Sequence, residues 1–133
     1  MYQTKNIHYK TIFKQDGQSE TVEYKAQGLL YTGDENHLEF DTDQGTIHMR
    51  YSDKGIVLSH GDSILNFDYE KDIENLYQLP YGSVQLKTRL KSFEANQERI
   101  KMVYELHDQQ GLLLTAYMMI RLLTTCEDSY ENI

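Results

Sequence analysis

The sequence predicts an all-β protein that folds as a single antiparallel, up-and-down β-barrel of about eight to ten strands. Apolar and polar residues alternate with a period of two along most of the chain, as in strands that are buried on one face. Turn signals recur roughly every 8–12 residues, and helical periodicity is nearly absent. Because an open antiparallel sheet of this length would expose its edges, we expect it to close, or nearly close, into a barrel.

The length and composition predict one cytoplasmic domain. The chain has 133 residues, a formal net charge of −8 and a single cysteine, Cys126, which cannot form an internal disulfide. An acidic chain is poorly suited to nucleic acid, and the sequence shows neither a signal-like N-terminus nor an apolar run of membrane-spanning length. We expect a barrel over residues 1–125 and a polar tail over residues 126–133, with no membrane association.

The first half of the chain reads as a series of hairpins. Strands over residues 6–14 and 19–32 flank Asp16-Gly17, a pair that readily adopts the positive φ of a tight turn. Gly28, within the second strand, predicts a bulge or a sharp bend. Shorter strands follow, separated by turns that contain Gly or Asp, over residues 37–42, 46–52, 55–61 and 63–70.

Residues 71–79 carry the helix candidate of the chain. Ile73, Leu76 and Tyr77 would share one face of a short helix, and a strand end over Leu76 to Leu79 is the alternative. Pro80 ends either one.

The second half of the chain holds three long strands. The strand over residues 81–93 has the cleanest alternation, with an inward face formed by Val84, Leu86, Thr88 and Leu90. Residues 98–108 form the next strand, and residues 111–125 form the last and most apolar one. The expected inward residues of the last strand are Leu112, Leu114, Ala116, Met118, Ile120 and Leu122.

One turn and the strand after it carry a family resemblance. The turn is formed by Tyr77, Pro80, Tyr81 and Gly82, and Gln85-Leu86-Lys87-Thr88 follows it. Together with Thr46-Ile47 and Ser59-His60-Gly61, this order resembles the YwiB-like family of small bacterial proteins over essentially the whole chain. The resemblance implies a calycin-type, lipocalin-like barrel and leaves the function open.

The chain departs from the patterns of these families at several points. Leu79 stands where the YwiB-like pattern usually has Thr, and Ser59 stands where it often has Arg. The chain contains no Trp, so the Gly-x-Trp motif of lipocalins proper is absent. Ligand transport of the lipocalin kind is therefore not implied.

Several hydroxyl groups are expected inside the barrel, on Tyr9, Thr11, Tyr24, Thr88 and Tyr104. A buried hydroxyl needs a hydrogen-bond partner. Either these groups satisfy one another within a filled core, or they line a pocket that binds a small apolar or amphipathic ligand.

The sequence shows no convincing catalytic or metal site. The five histidines lack the spacing of metal ligands, and Asp41 to Gly45 departs from a calcium loop. His60-Gly61-Asp62 is better explained as a turn than as a general base with its acid, and Glu127 and Asp128 oppose activation of the neighbouring Cys126. We expect no enzyme activity, no cofactor and no metal.

Two outer surfaces are candidates for contacts with partners. A basic strip is expected where two neighbouring strands place cations side by side across a turn, from Lys87, Arg89 and Lys91 on one strand and Arg99 and Lys101 on the next. It is either a solvated face or a site for an anion or RNA. The last strand has an apolar outer face, Leu113, Tyr117 and Met119, which could form a homodimer or bind another protein. This gives the alternative function, a filled barrel that acts through association.

Overall fold

A computed structural model describes residues 2–124, which form one antiparallel sheet of ten strands. The strands are β1 (Tyr2–Gln15), β2 (Gln18–Tyr31), β3 (Asn36–Thr42), β4 (Gly45–Ser52), β5 (Gly55–His60), β6 (Ser63–Phe67), β7 (Ile73–Leu79), β8 (Gly82–Ala95), β9 (Arg99–Asp108) and β10 (Gly111–Thr124). The all-β, up-and-down prediction is confirmed. The expected tail over residues 126–133, with Cys126, lies outside the described residues.

The sheet curls into a nearly closed barrel. Its strand order is β6-β5-β4-β3-β2-β1-β10-β9-β8-β7, so strands adjacent in sequence are paired and β1 closes onto β10. One seam remains, between β6 and β7. No helix in residues 2–124 has the length and apolarity needed to cross a bilayer.

The connections sort onto the two ends of the barrel. Five tight hairpin turns lie at one end, which we call the mouth; they are centred on residues 16–17, 43–44, 61–62, 80–81 and 109–110. The first of them confirms the predicted hairpin, because Asp16 and Gly17 have φ values of 51° and 78°. The other end, which we call the base, carries the three longer loops and one more tight turn, at residues 53–54.

A bulge at Gly28, one of the two predicted alternatives, is not present. The β1–β2 ladder runs without a register shift from Tyr2 to Gln15. A Cβ atom at Gly28 would lie 2.4 Å from the Glu39 carbonyl oxygen and 2.4 Å from Ile7 Cδ1. Glycine is therefore required by the close approach of β3 and of the core side chain from β1.

The bulges lie instead on the long C-terminal strands. The β8–β9 register shifts between Leu90 and Ser92, and the β9–β10 register shifts between Leu112 and Leu114. A bulge inserts one residue and reverses which face the next residues take. The expected faces are therefore wrong at the start of β10: Leu112 is 58% exposed, and Leu113 is turned towards the interior.

The helix candidate is a strand. Residues Ile73–Leu79 pair with β8 from Thr88 to Gly82, so the helical alternative for residues 71–79 is wrong. Asn75, Tyr77 and Leu79 then share the inward face. The period of two was hidden because Ile73, Leu76 and Tyr77 also fit a helical spacing.

The base half of the interior is filled by side chains. The fully buried members include Leu30, Leu38, Met49, Ile56, Ile100, Met102 and Ile120. Phe67 of β6 and Tyr104 of β9, from the two sides of the seam, pack against each other with 4.9 Å between the ring centroids. Burial of this apolar surface is the main force that holds the barrel together.

Side chains bridge the seam between β6 and β7. Asn75 Oδ1 accepts a hydrogen bond from the Asn66 backbone N–H at 2.7 Å, and Asn75 Nδ2 lies 3.3 Å from the Asn66 carbonyl oxygen. Thr88 Oγ1 donates to the same carbonyl at 2.5 Å. Nearer the mouth, Ser63 Oγ donates to the Gln78 carbonyl at 3.1 Å. These bonds take the place of the missing ladder and satisfy backbone groups that would otherwise be orphaned.

Candidate functional site: a cavity at the mouth of the barrel

A cavity of about 370 Å³ opens between the mouth turns. Its walls are mostly aliphatic and come from both sides of the seam, with Leu58 and Leu65 on one side and Leu86, Leu106 and Leu114 on the other. Its polar lining residues are Tyr9, His60, Ser63, Tyr77, Tyr104 and Asp108. Alternation explains their position, because each lies on the inward face of its strand, in the half of the strand nearer the mouth.

Tyr104 is the most buried polar residue of this cavity. Its side chain is 3% exposed, and its hydroxyl forms no hydrogen bond within residues 2–124. Burial raises the pKa of the Tyr104 phenol well above its usual range. The phenol is therefore neutral at physiological pH, and its O–H is available as a donor to a guest in the cavity.

Two more tyrosines surround the same space. Tyr9 is 7% exposed, and burial raises the pKa of its phenol. Tyr77 contributes electrostatically to the raised pKa of both Tyr9 and Tyr104. The three phenols form a cluster of polar groups within apolar walls, the pattern of a small-molecule site.

The rim of the cavity carries His60, Ser63 and Asp108, residue types that can form a nucleophile, base and acid. No hydrogen bond joins them in the structure: Ser63 Oγ donates to the Gln78 carbonyl, and Asp108 Oδ1 accepts from the Gln110 N–H at 2.8 Å. His60 Nε2 instead lies 3.4 Å from the Thr42 hydroxyl. The rim therefore offers polar contacts, and the geometry of an activated serine is not assembled.

The structure separates the five hydroxyl residues that the sequence grouped together. Tyr9 and Tyr104 line the cavity, whereas Thr88 belongs to the seam. Thr11 is fully buried and its Oγ1 makes no hydrogen bond, and Tyr24 is half-buried beside His60, with 6.1 Å between the ring centroids. The interior thus has a filled core at the base and a cavity at the mouth, and no hydrogen bond joins two of these five hydroxyls.

The turn that carries the family resemblance forms part of the mouth. Tyr77 lines the cavity from β7, and Tyr81 is 87% exposed at the tip of the turn. Gly82 has a φ of 143°, a value that residues with a side chain rarely adopt.

The alignment predicted for the basic strip is wrong. Although β8 and β9 are neighbours, Lys87 faces His107 and Arg89 faces Glu105, and Lys101 lies opposite Glu94. Lys91 falls within the β8 bulge, and Arg99 lies at the far end of the ladder. The bulge and the register therefore separate the two groups of cations.

Two members of that strip are also engaged by acids. Arg89 binds Asp72 through two hydrogen bonds, Nε to Oδ1 at 3.0 Å and Nη2 to Oδ2 at 2.9 Å. Lys87 lies 3.8 Å from Glu74. These residues connect β8 to β7 and to the loop before it.

A different outer surface collects cations around an apolar groove, on β1, β10 and β9. In one row across the three strands, Lys10, Met119 and Lys101 are neighbours. In the next row, His8, Arg121 and Arg99 are neighbours. The groove has a volume of about 440 Å³ and includes Ile12, Val103, Tyr117 and Met119; we call it the outer groove.

Within residues 2–124, no three His, Cys, Asp or Glu side chains come together as ligands for a metal ion. Short contacts of histidines with acids do occur on the outer surface. His8 pairs with Glu23, and His107 Nε2 lies 3.0 Å from Glu105 Oε1. Each is a two-residue contact, short of the three or four ligands that zinc needs.

Ten up-and-down strands around a partly filled interior define a calycin-like β-barrel protein with a cavity at one end. The chain belongs to the family described as a domain of unknown function, DUF1934, whose pattern matches residues 7–120. The fold is also similar to the crystal structure of the ywiB protein from Bacillus subtilis, with a TM-score of 0.70 and 21% identity over 92% of this chain and 94% of that chain. The resemblance to the YwiB-like family is thereby confirmed. No curated protein matches the chain.

Proposed function

We propose that the protein binds one small amphipathic ligand in the cavity at the mouth and performs no catalysis on it. The observation that carries this proposal is Tyr104, whose side chain is 3% exposed in the cavity wall and whose hydroxyl makes no hydrogen bond in the described chain. The hydroxyl is therefore free to interact with a polar group of a guest in the cavity.

The size and lining of the cavity support a small ligand. Its volume of about 370 Å³ is near the lower end of small-molecule sites. The leucine walls favour an apolar body, and the tyrosines and the rim favour a polar group. The lack of hydrogen bonds among Ser63, His60 and Asp108 supports binding over hydrolysis.

Calorimetric titration of 1-octanol tests the proposal. We expect saturable binding with one site per chain and a negative heat-capacity change, as burial of apolar surface requires. Val84→Trp should fill the mouth and weaken binding by roughly tenfold or more, because Val84 lines the cavity from the mouth end of β8.

Gln85→Trp is the matched control. Gln85 is the next residue on the same strand, it is exposed, and it points away from the cavity. Octanol binding should be unchanged in this variant. Equal binding to both tryptophan variants, or no binding to the parent protein, would contradict the proposal.

We propose association through the outer groove as a second candidate function, carried by a separate observation. Tyr117 and Met119 are 42% and 37% exposed, and they lie beside Val103 and Ile12 in a concave surface. The occupant would be a second copy of the chain, giving a homodimer through the last strand, or another protein. Leu113, which the sequence grouped with this face, lines the cavity instead.

We propose a cytoplasmic location on the basis of the single cysteine, which asks for no oxidising compartment. Fractionation of the producing cells with an antibody to the protein tests this expectation. Recovery in a secreted or membrane fraction would contradict it.

A further inference from the structure

We propose that the ligand of the mouth cavity is an organic cation, with an ammonium group at the rim beside Asp108 and an apolar body among the leucines. This inference rests on the proposed function and specifies the chemical class of the ligand. It is carried by the charges of the mouth turns, the aromatic lining and the position of one carboxylate.

The charged residues of the mouth turns are all aspartates. Four of the five mouth turns carry an aspartate, and the residues from the last of one strand to the first of the next contain no Lys or Arg. The aspartates are Asp16, Asp43, Asp62 and Asp108. Carboxylates grouped at the mouth of a low-dielectric cavity attract cations and oppose anions.

Asp108 is the member of this group that lines the cavity. It follows Tyr104 and Leu106 on the inward face of β9. It makes no ion pair within residues 2–124, and its hydrogen bond to the Gln110 N–H occupies Oδ1. Asp108 Oδ2 therefore remains available to a guest that enters from the mouth.

The interior gives independent support for a ligand of this kind. Tyr104 and Tyr9 are more than nine-tenths buried, and both line the same cavity as Asp108. With Tyr77, they provide three electron-rich rings, which attract ammonium groups and not carboxylates. The lining contains no Lys or Arg that could neutralise an anionic ligand.

Three ligands of equal chain length test the charge preference: octylammonium chloride, 1-octanol and sodium octanoate, titrated at pH 7 and constant ionic strength. We expect octylammonium to bind roughly tenfold or more tightly than octanol, and octanoate to bind most weakly. Asp108→Asn should reduce octylammonium binding to the level of octanol and leave octanol binding unchanged.

Asp68→Asn is the matched control. Asp68 lies at the base, and its Oδ1 accepts a hydrogen bond from the Glu70 N–H at 2.8 Å, the same local turn that Asp108 makes with Gln110. Asparagine keeps this acceptor in both turns and removes one charge in each. Asp68→Asn should therefore leave the preference for octylammonium over octanol unchanged.

The outcomes separate the two proposals. If none of the three compounds binds, the proposed function fails. If octanol binds as tightly as octylammonium, the mouth binds amphiphiles but the inference of a cation is wrong. If both asparagine variants lose the preference equally, the net charge of the protein causes it, and the role of Asp108 is overturned.

Discussion

Two buried threonines show that the hydrogen bonding of a buried hydroxyl depends on the groups that face it. Thr11 and Thr88 are 0% and 1% exposed and both were expected inside the barrel. Thr88 donates to the Asn66 carbonyl and lies 3.2 Å from Asn75 Nδ2, whereas Thr11 Oγ1 has no hydrogen bond. Alternation predicts that both side chains point inward, but it contains no information about what faces them.

Replacement of threonine by valine should therefore change the free energy of unfolding in opposite directions at the two positions. Thr11→Val removes a hydroxyl that has lost its hydration without gaining a partner, and should raise the free energy of unfolding by about 1 kcal/mol. Thr88→Val leaves polar groups of the seam without a partner, and should lower it by about 2 kcal/mol. Urea denaturation of both variants measures the difference, and a loss of stability in Thr11→Val would contradict this explanation.

The residues that line the cavity were only partly predictable from the sequence. Tyr9 and Tyr104 were predicted to point inward, and they do. Tyr77 and Asp108 were missed as lining residues. The helical spacing in residues 71–79 concealed the alternation that places Tyr77 inside. Asp108 was placed at the end of the strand predicted over residues 98–108, but it was not considered as a continuation of that strand's inward face.

The strands themselves were largely predictable because each carries its own alternation and its own turn. The bulges were not, because an extra residue in β8 or β10 leaves no distinct local signal. Those bulges determine which way the side chains of Leu113 and Lys91 point. For this reason Leu113 does not belong to the predicted outer apolar face, and Lys91 does not align with the other cations of the predicted basic strip.

The seam between β6 and β7 should be the weakest part of the barrel, because side chains replace a backbone ladder there. Asn75→Ala removes hydrogen bonds to the Asn66 backbone and to Thr88, and should cost about 3 kcal/mol of unfolding free energy. Amide hydrogen exchange should increase in β6 and β7 and stay slow in the β1–β10 ladder. A uniform increase across all strands would contradict a local role.

The pair of Asp72 and Arg89 fastens the loop before β7 onto β8 and should make stability depend on pH. The hydrogen bonds from Arg89 lower the pKa of Asp72 in the folded protein. The stabilisation is therefore present above the pKa of an unfolded Asp, about 3.9, and is lost as the pH falls through the lower folded value.

Arg89→Gln should thus be less stable than the parent protein at pH 7, and the difference should shrink in strong acid. Arg50→Gln, at an exposed arginine on β4 that makes no ion pair within the described residues, serves as the control. Urea midpoints at the two pH values measure both effects. An equal loss of stability from Arg89→Gln at both would contradict the assignment to Asp72.

The outer groove gives a sharp test of association through β10. Met119 lies between Lys10 and Lys101, so Met119→Glu places a carboxylate between two cations and should leave the monomer as stable as before or slightly more stable. A dimer that buries Met119 should nevertheless dissociate. Light scattering at micromolar concentrations measures this, and a parent protein that is monomeric throughout would rule out self-association at this face.

The whole molecule divides into a filled half at the base and a cavity at the mouth. Strand count and short turns were enough to predict the barrel, because closure is the way such a sheet removes its edges. They could not predict the cavity. Its volume depends on how bulges, glycines and ring sizes fill the interior together, as at Gly28, where a core side chain from β1 takes the place of a Cβ atom.

We propose that the ligand binds in the mouth cavity, and not in the outer groove or the filled base. An NMR titration of 1-octanol into protein with labelled methyl groups tests this location. We expect chemical-shift changes at Leu58, Leu106 and Leu114 around the cavity, with Ile100 in the base and Met119 on the outer groove unaffected. Shifts confined to Met119, or none at the three leucines, would contradict it.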